Sequence, residues 1–452
     1  MRIAPAAAGR ALAALLLGAA LPVDLRAQAP ADALPAWTTK QASGVRTLDF
    51  RNGVPQALAG RGFSPGTYLL LANPYLAADR RAIHEVRSMA CHPDGGVVLW
   101  AKLNRTDNGK LPNQLTDTDM AVGAWRMEAD GRLTPFAAKL ERDFRGKRLC
   151  DTAVADLHLP DWSYAGDIRV EPGGNLLLVS GAANAVLRLR RDGRVDRVAG
   201  GGEALCRADP YSGTESGWRD GPGAQALFNG AMSLAVAADG TIYVAESGWL
   251  PGGGDYSAGN CSIRRIGTDG HVSTVFGSGH CEKDRKRLRD EAMTGVRLDR
   301  LAIDRAGQLL VVGTSGGQTP EGYDAAFIKA FRIDPANGTA QPIGHAAVGG
   351  GVPKGWPGGD FRAAIGLAPD GTVVAYDQAG LGHYGLVALD NPAAALRAWW
   401  KVRAGGYVDG PQPGLDGVID FCSAADGGIF FLQKYALRRL EPKTGQVTTW
   451  LY

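Results

Sequence analysis

Short apolar strands alternate along this chain with turns written Asp-Gly or Gly-Gly. The stretch ALFNGAMSLAVAADGTIYVAESG, Ala226 to Gly248, shows the unit. SLAVAADG reads as an apolar strand ending at Asp239-Gly240, a two-residue hairpin signal. TIYVAES returns as a strand rich in β-branched and aromatic residues. CSIRRIGTDGHVSTVFGSG then supplies a third strand, a second turn at Asp269-Gly270 and a fourth strand. The pattern predicts four antiparallel strands with tight turns joining the first pair and the second pair.

The same grammar recurs. First turns fall at Asp94-Gly95, Gly173-Gly174, Asp239-Gly240, Ala306-Gly307, Asp370-Gly371 and Asp426-Gly427, between 56 and 79 residues apart. Second turns follow at Asp130-Gly131, Asp192-Gly193, Asp269-Gly270, Asn337-Gly338, around Asn391-Pro392, and at Thr444-Gly445. A four-stranded sheet cannot bury both faces alone, and radial stacking of such sheets leaves only short edges exposed. The expected fold is all-β: a six-bladed β-propeller of four-stranded antiparallel blades over residues 83–452. A two-sheet sandwich is the alternative that turn-punctuated strands also allow. Residues 30–82 lack such a hairpin and read as a cap or closing segment, with SGVRTLDF and GTYLLLANPY as strand candidates and a degenerate seventh blade as a further possibility.

The third copy carries a family resemblance. DGPGAQALFNGAMSLAVAADGTIYVAESG followed by GNCSIRRIGTDGHVSTVFGSG, Asp220 to Gly279, resembles the NHL repeat: an acidic-Gly lead-in, an apolar strand, DG, a strand ending in an acid, GN-x-x-IR-I and a last DG strand. The match loosens over the other repeats. The resemblance implies an NHL-like propeller. NHL-like and related propellers include amidating lyases with a histidine-held zinc and lactonases with a divalent ion, but neither ligand set maps onto this chain residue by residue.

The N-terminus changes the compartment. Arg2 and Arg10 precede an apolar run from Ala11 to Leu21, followed by Pro22 and small residues at Ala27 and Ala29. This reads as a secretory signal peptide over residues 1–29, its apolar run too short to span a bilayer, which takes roughly 20 apolar residues. The expectation is a periplasmic or secreted protein with no transmembrane segment in the mature chain. Arg2, Arg10 and Arg26 against Asp24 supply two of the three formal positive charges, so the mature chain is close to neutral. That argues against nucleic acid as a partner, since polyanion binders need a concentrated positive field. Lys283 to Glu291, the densest basic run, interleaves acids.

Aligning the inner strands on their first turns picks out candidate chemistry. Three and five residues before the turn stand mostly apolar residues, as period-two alternation requires of positions packed between blades. Four before are Ala90, Arg169, Ala235, Ala302, Gly366 and Cys422, mostly small, as a crowded axis demands. Six before are Ser88, Asp167, Ser233, Arg300, Ala364 and Asp420. One reading makes Asp167, Arg300 and Asp420, with Arg169 deeper, a charge-bearing binding mouth of the central channel; the other has them pairing with one another. Glu246 and Asp377 end second strands, where the NHL resemblance implies an acid that bonds neighbouring loop amides. Together with Asp167 and Asp420 they could furnish oxygens for a divalent metal such as Ca²⁺, although no cofactor is demanded by any spacing. The histidines are dispersed without HExxH or HxH, there is no GxSxG, and the GGG runs lack the strand-to-helix setting of a phosphate cradle.

Long loops carry Trp218 and Trp249, a surface suited to a protein, peptide or glycan. The expected role is an exported binding module acting through this loop-rich face. The alternative is a metal-dependent hydrolase or lyase with channel carboxylates, so enzymatic activity stays open. Cysteines in an exported chain permit disulfides. Cys150, Cys206, Cys261 and Cys281, in or beside these loops, are predicted to form two staples. Mass mapping of non-reduced peptides should find all four bonded; four free thiols would refute the pairing.

Overall fold

The fold was taken from a computed structural model. It describes residues 39–42, 45–48, 50–51, 54–55, 83–104, 120–127, 133–136, 165–181, 183–192, 195–202, 215–246, 261–277, 297–318, 324–348, 364–367, 373–376, 386–388, 397–398, 403–404, 414–415, 418–433, 436–441 and 443–451. The predicted leader, residues 1–29, lies outside them, as does GTYLLLANPY. Val45–Leu48, within SGVRTLDF, is a strand paired antiparallel with Thr39–Ala42.

The chain is an all-β propeller. Five of its blades are four-stranded antiparallel sheets, each built from strands consecutive in sequence. A further sheet, that of the opening motif, has the same four strands plus Gly221–Pro222 on its outer edge, paired with His271–Phe276. The inner strands run Ile83–Cys91, Ala165–Val170, Ala231–Val236, Arg297–Ile303, Ala364–Leu367 and Val418–Ser423. Each neighbours the next in this order, and Val418–Ser423 returns to lie against Ile83–Cys91.

One turn geometry recurs, and it differs from the two-residue hairpin expected of Asp-Gly. In the opening motif Ala237 N–H donates to Thr241 C=O at 2.8 Å and Gly240 N–H to Ala237 C=O at 3.0 Å, which closes a three-residue loop. Only the glycine, at φ 88°, is left-handed. Asp239 accepts from Thr241 N–H at 2.9 Å, so its preference for the turn comes from its carboxylate rather than from a left-handed backbone. The same pair of backbone bonds closes the turns 92–96, 171–175, 267–271, 304–308 and 424–428. A right-handed turn followed by a left-handed glycine matches the twist of the flanking strands, which is why the motif can be copied.

Alternation along each strand sends side chains to the preceding or the following blade. Ala90, Val98 and Trp100 of the first sheet pack with Ile168, Leu176, Leu178 and Leu187 of the second. Leu177, Val179 and Val186 of the second meet Leu234, Ile242 and Val244 of the third. Ala235, Tyr243 and Ile263 of the third meet Leu301, Leu309 and Phe331 of the next. Burial of each large aliphatic side chain in such a seam stabilises the fold by about 1.5–3 kcal/mol. Ala90 and Ala235, four before the turn, are small because blades approach most closely at the inner strands. Among the described residues, no helix is long and apolar enough to cross a membrane.

The junction of the second and third blades depends on Gly200. It sits at φ 86°, and a Cβ there would lie 2.4 Å from both Asn184 O and the Phe228 ring. Gly240, at φ 88°, would meet nothing nearer than Thr268 Cγ2 at 3.7 Å. Gly200→Ala should destabilise by about 3 kcal/mol or more and Gly240→Ala by about 1 kcal/mol, since only the first adds a clash to backbone strain. Urea unfolding of the two variants checks the difference.

Candidate functional site

Five of the six residues that stand six before the first turns converge on the axis as one hydrogen-bonded belt. Asp420 Oδ2 accepts the N–H of Met89 at 3.0 Å. Ser88 Oγ accepts that of Ile168 at 3.3 Å. Asp167 Oδ2 accepts that of Leu234 at 3.3 Å, and Ser233 Oγ that of Leu301 at 3.1 Å. In each case the side chain serves the backbone amide one residue beyond the belt position of the following blade. The inner strands have no sheet neighbour on their axial edge, so these amides would otherwise be buried donors without partners.

Side chains also join laterally. Ser88 Oγ lies 3.0 Å from Asp167 Oδ1 and 2.8 Å from Asp420 Oδ2, so one hydroxyl proton serves two carboxylates. Ser233 Oγ donates to Asp167 Oδ2 at 2.6 Å. Arg300 cannot accept. It instead spans the axis, with Nη1 3.1 Å from Asp167 Oδ1 and 3.9 Å from Asp420 Oδ2. Arg169 Nη1 pairs with Asp167 Oδ1 and donates to Ile168 C=O at 2.6 Å. The sixth aligned position is Ala364, at the start of Ala364–Leu367, which offers no acceptor. The amide that would depend on it, Phe421 N–H, is taken by Asp420 Oδ1 of its own blade at 3.0 Å.

The backbone is shaped for this belt. A register shift immediately precedes Ser88, Ser233, Arg300 and Asp420, and one falls at Asp167 between the pairs Ile168–Leu178 and Ala165–Ser180. Ala364–Leu367 pairs with Val373–Tyr376 without a shift. A bulge inserts one residue and re-aims the side chain that follows. Bulges therefore accompany the polar belt residues.

Electrostatics agree. Asp167 and Asp420 are fully buried, and Arg300 is 4% exposed. Burial pushes the Asp167 carboxyl up, yet the Arg169 and Arg300 guanidiniums and the Ser233 and Ser88 hydroxyls together outweigh it and hold the group below the ordinary carboxylate value. Two acids face two guanidiniums, so the belt is close to neutral.

The other candidates fall elsewhere. Glu246 is buried in a separate network within its own sheet. It accepts from Asn229 N–H at 2.8 Å and Ser262 Oγ at 2.5 Å, and Arg264 Nη1 lies 3.3 Å away. Arg264, fully buried, also binds Asp220 at 2.6 Å and the carbonyls of Leu227 and Arg219. The acidic-Gly lead-in, the strand-ending acid and the IR-I arginine of the motif thus form one ionic knot that ties the lead-in loop to the blade. Trp218, 43% exposed, lies over Arg264 with its ring centroid 5.9 Å from Cζ. Asp377, Trp249, Cys150, Cys206 and Cys281 lie outside the described residues. Among the described residues, no three His, Cys, Asp or Glu side chains gather as a metal ion would need.

Sequence reasoning did not single out Ser88 and Ser233 as site residues, although they stand in the same aligned position as the charged three. It also passed over Cys91–Cys422, a disulfide between the first and last inner strands. Cys261 is disulfide-bonded as well.

No protein-family model and no curated protein matches the chain. Among solved structures it is similar to a virginiamycin B lyase from Staphylococcus aureus, at 12% identity and TM-score 0.40 over 81% of this chain and 84% of that one. It is also similar to a gluconolactonase from Xanthomonas campestris, at 14% identity and TM-score 0.37 over 64% and 75%. Likenesses at these scores carry no argument about what this chain does.

Removing the carboxylate takes a partner from two guanidiniums, two hydroxyls and the Leu234 amide, so Asp167→Ala should cost about 3–5 kcal/mol. Ser88→Ala should cost about 1–3 kcal/mol through the orphaned Ile168 amide. Because the folded-state value of Asp167 is depressed, its stabilisation is fully present above the ordinary carboxylate value and is lost as pH falls through the folded-state value. Thermal melts should therefore drop steeply below about pH 4, and the Asp167→Asn variant should show a shallower fall over the same range.

Proposed function

We propose that this chain is a six-bladed, NHL-type propeller, the five-stranded sheet being a blade with an added edge, and that it acts as an exported binding module. The observation that carries this reading is the occupancy of the axial carboxylates. Both oxygens of Asp167 and both of Asp420 are engaged by belt partners. A general base or a metal-ligating carboxylate needs a lone pair directed at the reacting group or the ion. These four oxygens are directed at backbone amides, hydroxyls and guanidiniums, so they serve the ring rather than a substrate. Recognition then belongs to the loops, where Trp218 presents an exposed aromatic face and Trp249 follows the strand Ile242–Glu246 in sequence. An aromatic face of this kind suits a peptide, a protein segment or a glycan. The leader and the disulfide chemistry fit a periplasmic or secreted setting.

Two measurements test the reading. Elemental analysis of the purified protein should find no stoichiometric divalent ion; an ion that is lost in Asp167→Asn or Asp420→Asn would favour the hydrolase or lyase alternative. Glycan and peptide arrays probed with wild type should give signals that fall at least tenfold in Trp218→Ala/Trp249→Ala, about 1.4 kcal/mol. Binding unchanged in that variant would place recognition away from these loops.

A further inference from the structure

The inner strands of successive blades are joined by the chain itself, but one seam is not. The first blade, beginning at Ile83–Cys91, and the last, beginning at Val418–Ser423, meet only because the ring closes. Propellers can close by sharing a sheet between strands from the two ends of the chain. Among the described residues no sheet does this: the first sheet ends at Leu133–Pro135, and the last is made wholly of strands from Val418 onward.

What crosses the seam at the axis is specific. Cys91 is bonded to Cys422, 331 residues away in sequence. Within three residues of these cysteines, Asp420 accepts from Ser88 Oγ at 2.8 Å and Met89 N–H at 3.0 Å. The covalent bond and the two belt bonds join the same pair of strands. Both cysteines are half-buried rather than sealed in the core.

We propose that Cys91–Cys422 is a redox-sensitive latch that closes the propeller at its only seam without chain continuity. A dithiol supplies the reducing equivalents: one thiolate attacks Cys91 or Cys422 sulfur, the protein S–S bond breaks, and the departing thiolate takes a proton. The second thiolate of the reagent then displaces the mixed disulfide. The protein gains two electrons and two protons, and the dithiol becomes its own disulfide. With the latch open, Asp420 retains only hydrogen bonds to hold Ser88 and Met89, and the belt parts at this seam before any other. Closure therefore needs an oxidant of the disulfide class and happens only after both ends of the chain are folded.

Amide hydrogen exchange followed residue by residue tests this. The folded wild type is pulsed with dithiothreitol and alkylated, with peptide masses used to verify that Cys91 and Cys422 have been modified. The Cys91→Ser/Cys422→Ser variant provides a second route to the open latch. The Met89 amide should exchange about tenfold faster or more, while Leu234 and Leu301, the equivalent amides at seams joined by the chain, change less than about twofold, because local openings are independent of distant ones. Should the variant fail to fold, the reduced wild type decides. Equal acceleration at all three amides, or none at Met89, would overturn the proposal.

Discussion

Everything in this propeller depends on how the backbone amides at its axis are satisfied. An inner strand is hydrogen-bonded to its own sheet on one side only, and its other edge has no strand paired with it. Buried N–H groups left in that position would each cost a few kcal/mol. The chain meets the constraint with side chains: an acid or hydroxyl from one blade reaches the amide of the next, four times in the same sense around the ring. Where the chain places an arginine, which cannot accept, the arginine instead neutralises the two acids. Where it places alanine, the next aspartate turns an oxygen back to its own backbone.

This constraint also accounts for the bulges. A regular strand would continue its strict alternation, and the polar residue would point away from the neighbouring inner strand. One extra residue ahead of Ser88, Ser233, Arg300 and Asp420 corrects the aim. The charged groups so prominent in sequence are therefore a matter of architecture first. Four carboxylate oxygens and two guanidiniums are held in place by one another, and the surface left for recognition is that of the loops.

Much of the fold was legible from the chain because the turns are strongly constrained. A left-handed glycine preceded by a residue that bonds its own turn leaves a readable signature, and its recurrence marked the inner strands correctly, down to the alignment that brought Ser88, Asp167, Ser233, Arg300 and Asp420 into one row. What that alignment could not tell was the partner of each side chain. Period two shows which residues share a face, but a buried serine bonding a neighbour's amide looks in sequence like a serine facing water. The Cys91–Cys422 bond was hidden for a similar reason: the two residues are remote in the chain and meet only through closure of the ring. Glu246 was recognised as a strand-ending acid that bonds a loop amide, and it does accept from Asn229 N–H; its further partners Ser262 and Arg264, the arginine of the same motif, were not read from the sequence.

The claim that the axial charges act as one structural unit is open to a direct measurement, the double-mutant cycle between Asp167 and Arg300 read by chemical unfolding. Residues bound in one network are expected to show a coupling of at least about 1 kcal/mol, so that losing Arg300 costs far less once Asp167 has already been replaced. Additivity within about 0.5 kcal/mol would mean that the two side chains act independently, and the belt as described here would not exist.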